Sequence, residues 1–376
     1  MKYTLCVTQR CNLRCRYCYI AKRDRTMPID VAVRIVDFAF LNTPQEERID
    51  IGFFGGEPLL EFERIRNITS MIEAHPKFDP GRVDLSVVSN GTIFSEEIAD
   101  YLRRHKIALG ISCDGPPSIQ DAFRTFPDGS GSSPIVEQNL RRALGWFPDL
   151  PVNAVHSPAT LPYLADTVDH LAALGVAKIY LNTDYSARWT RREADLLPDL
   201  YARVADRYVE FHERGEPRFI SLIDSKIAVI LRRGYRPLER CRMGRGEYAF
   251  SPSGNIYPCE RLIGNGDGGC HCIGNIVAGL SPGAACAGAG DTKARNAECL
   301  ECGLSVYCMN WCGCSNYFAS GAYDKVGPFL CASERTAIME SMRVFQRLEE
   351  RLGPTFVDHL SGLPWAASLR RTTTAR

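Results

Sequence analysis

The chain lacks any long hydrophobic run. No apolar stretch in its 376 residues approaches the ~20 needed to cross a bilayer. The opening MKYTLCVTQRC has no signal-peptide apolar region. An excess of one charge is also missing. Its 45 Lys and Arg stand against 44 Asp and Glu, a formal net charge of +1. That balance supplies no basic face for nucleic acid or for an anionic membrane. The expectations are a cytoplasmic location, no membrane partner and no nucleic-acid partner. Cysteine is nearly absent from the middle of the chain, where Cys113 stands alone between Cys18 and Cys241. Outside that gap it is abundant: four cysteines lie in residues 1–18 and eleven between Cys241 and Cys331.

Sixteen thiols in a reducing compartment argue for metal or iron–sulfur ligation rather than disulfides. Cys11, Cys15 and Cys18 form CxxxCxxC, with Tyr17 just before the last. Three thiolates hold three irons of a [4Fe–4S] cube and leave the fourth iron open for substrate or cofactor. Closely spaced cysteines also bind zinc, and the triplet alone leaves both readings standing.

Short apolar runs alternate with amphipathic stretches up to about residue 181. Strands are expected at 2–8, 49–54, 83–88, 107–112, 151–156 and 177–182. Helices are expected near 29–41, 61–75, 95–105, 135–146 and 161–174. This alternation predicts parallel βαβ units, and six of them suit a partial (β/α)6 barrel of the α/β class. Function in such folds sits at the carboxyl ends of the strands. Charged helices over 190–216 and 220–233 follow, with a last amphipathic helix over 332–352 and a frayed tail, SLRRTTTAR. The expected division is 1–185 barrel, 186–240 helical bridge, 241–331 cysteine-rich domain, and 332–376 helix and tail.

Turn motifs stand at the strand ends. FFGGEP places Gly55 and Gly56, which permit close backbone approach, before Glu57 and Pro58. VSNGT carries Ser89 and Asn90, and ISCDGPP carries Ser112 and Asp114. Arg124 offers a guanidinium suited to a carboxylate. Cys113 reads as a buried apolar cysteine.

CxxxCxxC, GGEP, SNGT and SCDGP at successive strand ends resemble the radical S-adenosylmethionine (SAM) superfamily. The resemblance implies a [4Fe–4S] cluster on Cys11, Cys15 and Cys18, whose open iron binds the SAM amino and carboxylate groups, and reductive SAM cleavage to a 5′-deoxyadenosyl radical. It implies SAM-site roles for Tyr17, Gly55, Gly56, Glu57, Pro58, Ser89, Asn90, Ser112, Asp114 and Arg124. GGEP backbone oxygens would meet the SAM ammonium, Ser112 and Asp114 its hydroxyls, and Arg124 its carboxylate.

Further on, Cys241-x12-Gly254-x4-Cys259 and Cys299-x2-Cys302-x5-Cys308-x3-Cys312-x18-Cys331 resemble the seven-cysteine SPASM domain of peptide and protein maturases. That resemblance implies two auxiliary [4Fe–4S] clusters. Cys299, Cys302, Cys308 and Cys331 would hold one. Cys241, Cys259 and Cys312 would hold the other, its fourth position open or filled by Cys270, Cys272 or Cys314, with Cys272 or an open site favoured. Glu260 stands where sulfatase maturases carry a proposed aspartate base, and is expected to serve if burial raises its pKa toward neutrality. Cys6 and Cys286 read as bystanders, and Tyr19 as a packing residue. The implied activity is modification of a peptide or protein, with thioether formation as one outcome and formylglycine formation as the alternative. A non-catalytic iron–sulfur or zinc scaffold is the remaining reading. The expected partners are a peptide or protein substrate, a reductant such as flavodoxin or ferredoxin, and a separate leader-binding protein or a cleft of the chain itself. The chain is expected to be a monomer.

Overall fold

A computed structural model describes residues 1–236, 239–281, 297–356 and 360. Cys286 and the tail SLRRTTTAR lie outside the described residues. The chain packs as two units, Met1–Val152 with Cys241–Ala294, and Asn153–Arg240 with Arg295–Arg376.

The first unit begins β1 (Lys2–Thr8), α1 (Ile29–Asn42), β2 (Ile49–Gly55), α2 (Phe62–Glu73), β3 (Val83–Ser89), α3 (Glu96–Arg104), β4 (Ile107–Ser112), α4 (Pro117–Phe123) and α5 (Ser133–Trp146). These follow the expected alternation, with α4 added to it. The strands β1 to β4 are parallel neighbours in chain order. β1 is buried along almost its whole length, whereas β2 alternates buried and half-buried positions. A strand covered on both faces reads as an unbroken apolar run, as KYTLCVT nearly does. Ser95 caps α3 by accepting from the Ile98 N–H, and Glu96 and Glu97 in its first turn suit the positive helix end.

β5 (Pro151–His156), α6 (Leu164–Ala173), β6 (Lys178–Thr183), α7 (Arg191–Glu213), β7 (Phe219–Ile220) and α8 (Ser221–Leu231) come next. The chain then returns to the first unit with β8 (Glu247–Phe250), β9 (Asn255–Tyr257), β10 (Gly274–Asn275) and β11 (Gly279–Leu280). β8 pairs parallel to β1, Lys2 opposite Glu247, and β9 to β11 continue antiparallel. The first unit's strands therefore run β11-β10-β9-β8-β1-β2-β3-β4.

The second unit is mainly helical. It ends with α9 (Ala297–Leu300), α10 (Gly313–Ser320) and α11 (Pro328–Leu352), the last beginning four residues before its expected start because Pro328 occupies the first turn. A capping box of Thr190 and Glu193 opens α7. Buried Ile338, Ser341, Val344 and Leu348 line one face of α11. Tyr201 on α7 meets Ser333 on α11 at 2.8 Å, and the Ser341 hydroxyl donates to the Ile223 carbonyl of α8 at 3.3 Å.

Candidate active site and thiol groups

Cys11, Cys15 and Cys18 stand on the loop after β1, at its carboxyl end. Backbone bonds pin this loop on two sides. Arg14 N–H donates to Thr125 O at 2.7 Å and Arg16 N–H to Phe123 O at 3.0 Å. Ala21 N–H donates to Gly264 O at 3.0 Å, and the Gln9 amide to Asn265 O at 2.8 Å. Lys22 Nζ lies 2.8 Å from Cys18 Sγ. Burial pushes the Cys11 and Cys15 thiols up, while Lys22 pulls Cys11 back and Arg124 pulls Cys15 back. The three sulfurs interact with one another, and all three raise the pKa of Lys22, although burial works the other way.

The GGEP turn is fitted to this loop. A Cβ on Gly55, whose φ is +149°, would stand 2.1 Å from Thr8 O, and one on Gly56 2.1 Å from Arg10 O. Only glycine admits that approach. Gly56 N–H donates to Thr8 O at 2.8 Å and Glu57 N–H to Arg10 O at 2.9 Å. Pro58 is buried at the start of the 3-10 turn that follows. Glu57 is wholly buried, and its carboxylate accepts from Leu59 N–H at 3.0 Å, Ser89 Oγ at 2.9 Å and Asn90 N–H at 2.6 Å. Burial pushes its pKa up to about 7, against those three bonds. The Asn90 amide donates to Asn12 Oδ1 at 2.9 Å and approaches Cys11 Sγ at 3.8 Å. Asn12 in turn donates to Thr92 Oγ1 at 2.8 Å. Glu57 thus joins the ends of β2 and β3, and Asn90 carries that junction to Cys11.

The end of β4 carries a second polar group. Arg124 grips Asp114 with two bonds of 3.0 and 3.1 Å, both side chains buried, and the Tyr17 hydroxyl donates to the same carboxylate. The Arg124 guanidinium lies 5.2 Å over the Tyr17 ring. Asp114 and Arg124, assigned from sequence to different parts of SAM, are here partners of each other. Ser112 is half-buried. Cys113 is fully buried, and burial pushes its thiol up to about 12.

In the first unit Cys241 Sγ meets Glu247 Oε2 at 3.5 Å. Cys272 packs on the small core of Cys6, Ile20, Ala249, Tyr257 and Ile263, as Cys18 and Tyr19 do, and its thiol donates to Gly274 O at 3.2 Å. Cys270 is exposed. Tyr19 stacks on Phe54 and feels the charges of Glu260, Cys259 and Cys18. Glu260 departs from expectation. Burial is the largest influence and pushes its carboxyl up, but Lys2, 3.7 Å away, and Arg261 outweigh it and hold the pKa below its ordinary value. Glu260 is therefore a carboxylate at neutral pH, not an acid raised toward neutrality. The cause is the start of β1, which brings Lys2 opposite Glu247 and beside Glu260.

In the second unit Cys299, Cys302, Cys308 and Cys331 line one cavity of about 630 Å3, with Arg335 on its wall. Burial raises the Cys308 thiol, and Cys331 feels the charge of Cys302. Cys312, at the start of α10, lies 3.1 Å from Ser315 Oγ and 3.8 Å from the sulfur of buried Cys314. Among the described residues, no three His, Cys, Asp or Glu side chains are closed around a single metal-ion point. A four-iron cube spreads its thiolates over its corners, and both thiol groups offer the sulfur-only donor set it takes. In donor type the three loop cysteines suit a three-thiolate cluster and the four cavity cysteines a four-thiolate one.

Sequence reasoning missed Lys22, Asn12 and Gln120, the last holding Asp114 N–H at 2.8 Å. Lys22 had a local signal, four residues after Cys18. Asn12 and Gln120 had none.

Comparison with known proteins agrees with this geometry. The radical SAM superfamily model matches residues 5–144. The radical SAM cyclopropyl synthase TigE of Paramaledivibacter caminithermalis is 23% identical over 69% of this chain and 57% of its own length. A cysteine-type anaerobic sulfatase-maturating enzyme of Clostridium novyi is 22% identical over 68% of this chain and 72% of its own. The solved structure of native anSMEcpe with bound AdoMet and Cp18Cys peptide superposes with a TM-score of 0.75 at 17% identity, covering 93% of this chain and 99% of that one, a likeness of fold. The mixed α/β architecture with its parallel sheet shares the fold of that structure, and residues 5–144 form a radical SAM domain.

Proposed function

We propose that the chain is a radical SAM enzyme that modifies a peptide or protein. The observation that carries this reading is the hydrogen-bonded frame around Cys11, Cys15 and Cys18, built from the turns that end β2, β3 and β4. When bound, a [4Fe–4S] cluster and SAM supply a one-electron cleavage that yields methionine and a 5′-deoxyadenosyl radical able to take hydrogen from an unactivated carbon. The chain's own groups prepare that site. Lys22 offsets thiolate charge with an ammonium 2.8 Å from Cys18. Glu57 and Asn90 fix the strand ends beside Cys11. The Tyr17, Asp114 and Arg124 group closes the β4 side. Cys299, Cys302, Cys308 and Cys331 would hold an auxiliary cluster in their cavity, and Cys241 and Cys259 offer thiolates for another. A peptide or protein substrate is favoured because one relative is named as a sulfatase-maturating enzyme and one fold neighbour was solved with a peptide bound. A flavodoxin- or ferredoxin-like donor would supply the electron.

The sulfatase-maturase reading is supported to the same degree by the Clostridium novyi relative. Two substrates separate the readings: a cysteine- or serine-bearing sulfatase peptide, assayed for formylglycine, and a cysteine-rich precursor peptide, assayed for a two-hydrogen mass loss. The enzyme reading itself is tested by anaerobic reconstitution with SAM and dithionite. Formation of 5′-deoxyadenosine is expected. Zinc binding without that product would overturn it in favour of a scaffold.

A further inference from the structure

Cys308 sits between two backbone groups that one buried ion pair holds. On one side, Lys226 Nζ donates to the Tyr307 carbonyl at 3.3 Å. On the other, the Met309 N–H donates to Glu334 Oε2 at 2.5 Å. Lys226 and Glu334 are 4% and 7% exposed, and their charged atoms are 2.6 Å apart. Lys226 also reaches the Tyr235 hydroxyl at 3.3 Å. Lys226 lies on α8 and Glu334 on α11. Glu334 is three residues after Cys331, on the same side of the helix, and Cys331 lines the thiol cavity together with Cys308.

A buried ion pair is a poor device for joining two helices, because an apolar pair of similar volume does so at least as well without the desolvation cost. This pair does something an apolar pair cannot. It presents a donor to the carbonyl before Cys308 and an acceptor to the N–H after it, where the 3-10 turn Ser305–Tyr307 has ended and regular backbone bonding stops. It is also neutral overall, so it adds no net charge beside the cavity. Glu334 ties the Cys308 segment to the helix that carries Cys331, fixing two of the four cavity thiols relative to each other.

We propose that Lys226 and Glu334 are positioning residues that hold Cys308 as a ligand in the thiol-lined cavity. This rests on the reading of Cys299, Cys302, Cys308 and Cys331 as the ligands of an auxiliary cluster. The test uses the full chain, reconstituted anaerobically, with iron and sulfide counted per chain. C308A is expected to lose roughly four irons, one [4Fe–4S] cluster. E334L is expected to lose about as many, and C308A/E334L no more than either alone, because one site is affected. E334Q, which keeps an oxygen for the Met309 N–H, is expected to retain its iron. Full iron in E334L, or losses that add in the double variant, would overturn the proposal alone. Full iron in C308A would remove the cluster reading beneath it. Should E334L not fold, K226Q leaves the Met309 bond in place and frees the Tyr307 carbonyl. Its iron should pass to a ferrous chelator several-fold faster than from wild type, and an unchanged rate would overturn the proposal.

Discussion

The two thiol groups of this chain are built in opposite ways. The first takes all three sulfurs from one loop, Cys11 to Cys18, and sets a cation directly on one of them, Lys22 on Cys18. The second draws its four sulfurs from a short helix, a turn and the first turn of α11, with Arg335 and Glu298 on its wall, and the paired charges behind it, Lys226 and Glu334, grip backbone instead. A lone ammonium at a thiolate stabilises the more negative state of whatever the thiolates bind, which suits a site that must accept an electron at low potential. A neutral clamp fixes geometry and leaves potential nearly alone. Under the proposed function, the first site is the one tuned for chemistry and the second the one built for retention.

The sharpest way to break the comparison is to remove the first site. Replacing Cys11, Cys15 and Cys18 with alanine should abolish 5′-deoxyadenosine formation and remove roughly four irons per chain, leaving the rest. Next in size is Glu57→Ala. It would strand Ser89 Oγ and the Asn90 and Leu59 N–H groups in a fully buried place, so about 3 kcal/mol should be lost in denaturant unfolding. Lys22→Met should then make the SAM-perturbed cluster signal harder to reduce, with a shift of up to ~60 mV negative, a tenfold lower reduced-to-oxidised ratio, in a potentiometric EPR titration. Lys22→Arg should restore most of it. Equal potentials in wild type and Lys22→Met would end the distinction between the two sites.

The smallest effect concerns Asp224 in the second unit, which accepts from Tyr208 Oη at 2.9 Å and Ile220 N–H at 2.7 Å. Burial raises its pKa to about 7, against those bonds. Its folded pKa lies above the unfolded value, so the folded state binds the extra proton. That contribution is fully present below about pH 4 and is lost as pH rises through about 7. Thermal unfolding of wild type should therefore weaken relative to Asp224→Asn as pH goes from about 5.5 to 8, and parallel curves would contradict the assignment.

Local pattern made the first site legible. CxxxCxxC, GGEP and the strand-end turns are short-range signals, and β1 to β5 follow apolar runs that their burial explains. The SPASM spacing likewise groups Cys299, Cys302, Cys308 and Cys331, which line one cavity in the structure. What failed was long-range. Nothing in EYAF says that β8 will lie parallel to β1, yet that pairing brings Lys2 beside Glu260 and lowers a pKa expected to rise. The pairing of Asp114 with Arg124 was equally out of reach, because sequence shows each residue singly and the structure joins them. Lys226 and Glu334 are two ordinary charges in two amphipathic helices until α8 and α11 meet.

The most direct test is 5′-deoxyadenosine formation by the anaerobically reconstituted full chain with SAM and dithionite, with iron counted on the same sample. The account predicts product, roughly twelve irons per chain for three [4Fe–4S] clusters, and loss of product with the Cys11, Cys15 and Cys18 triple variant. Iron-loaded protein that leaves SAM intact, or product formed by the triple variant, would contradict it.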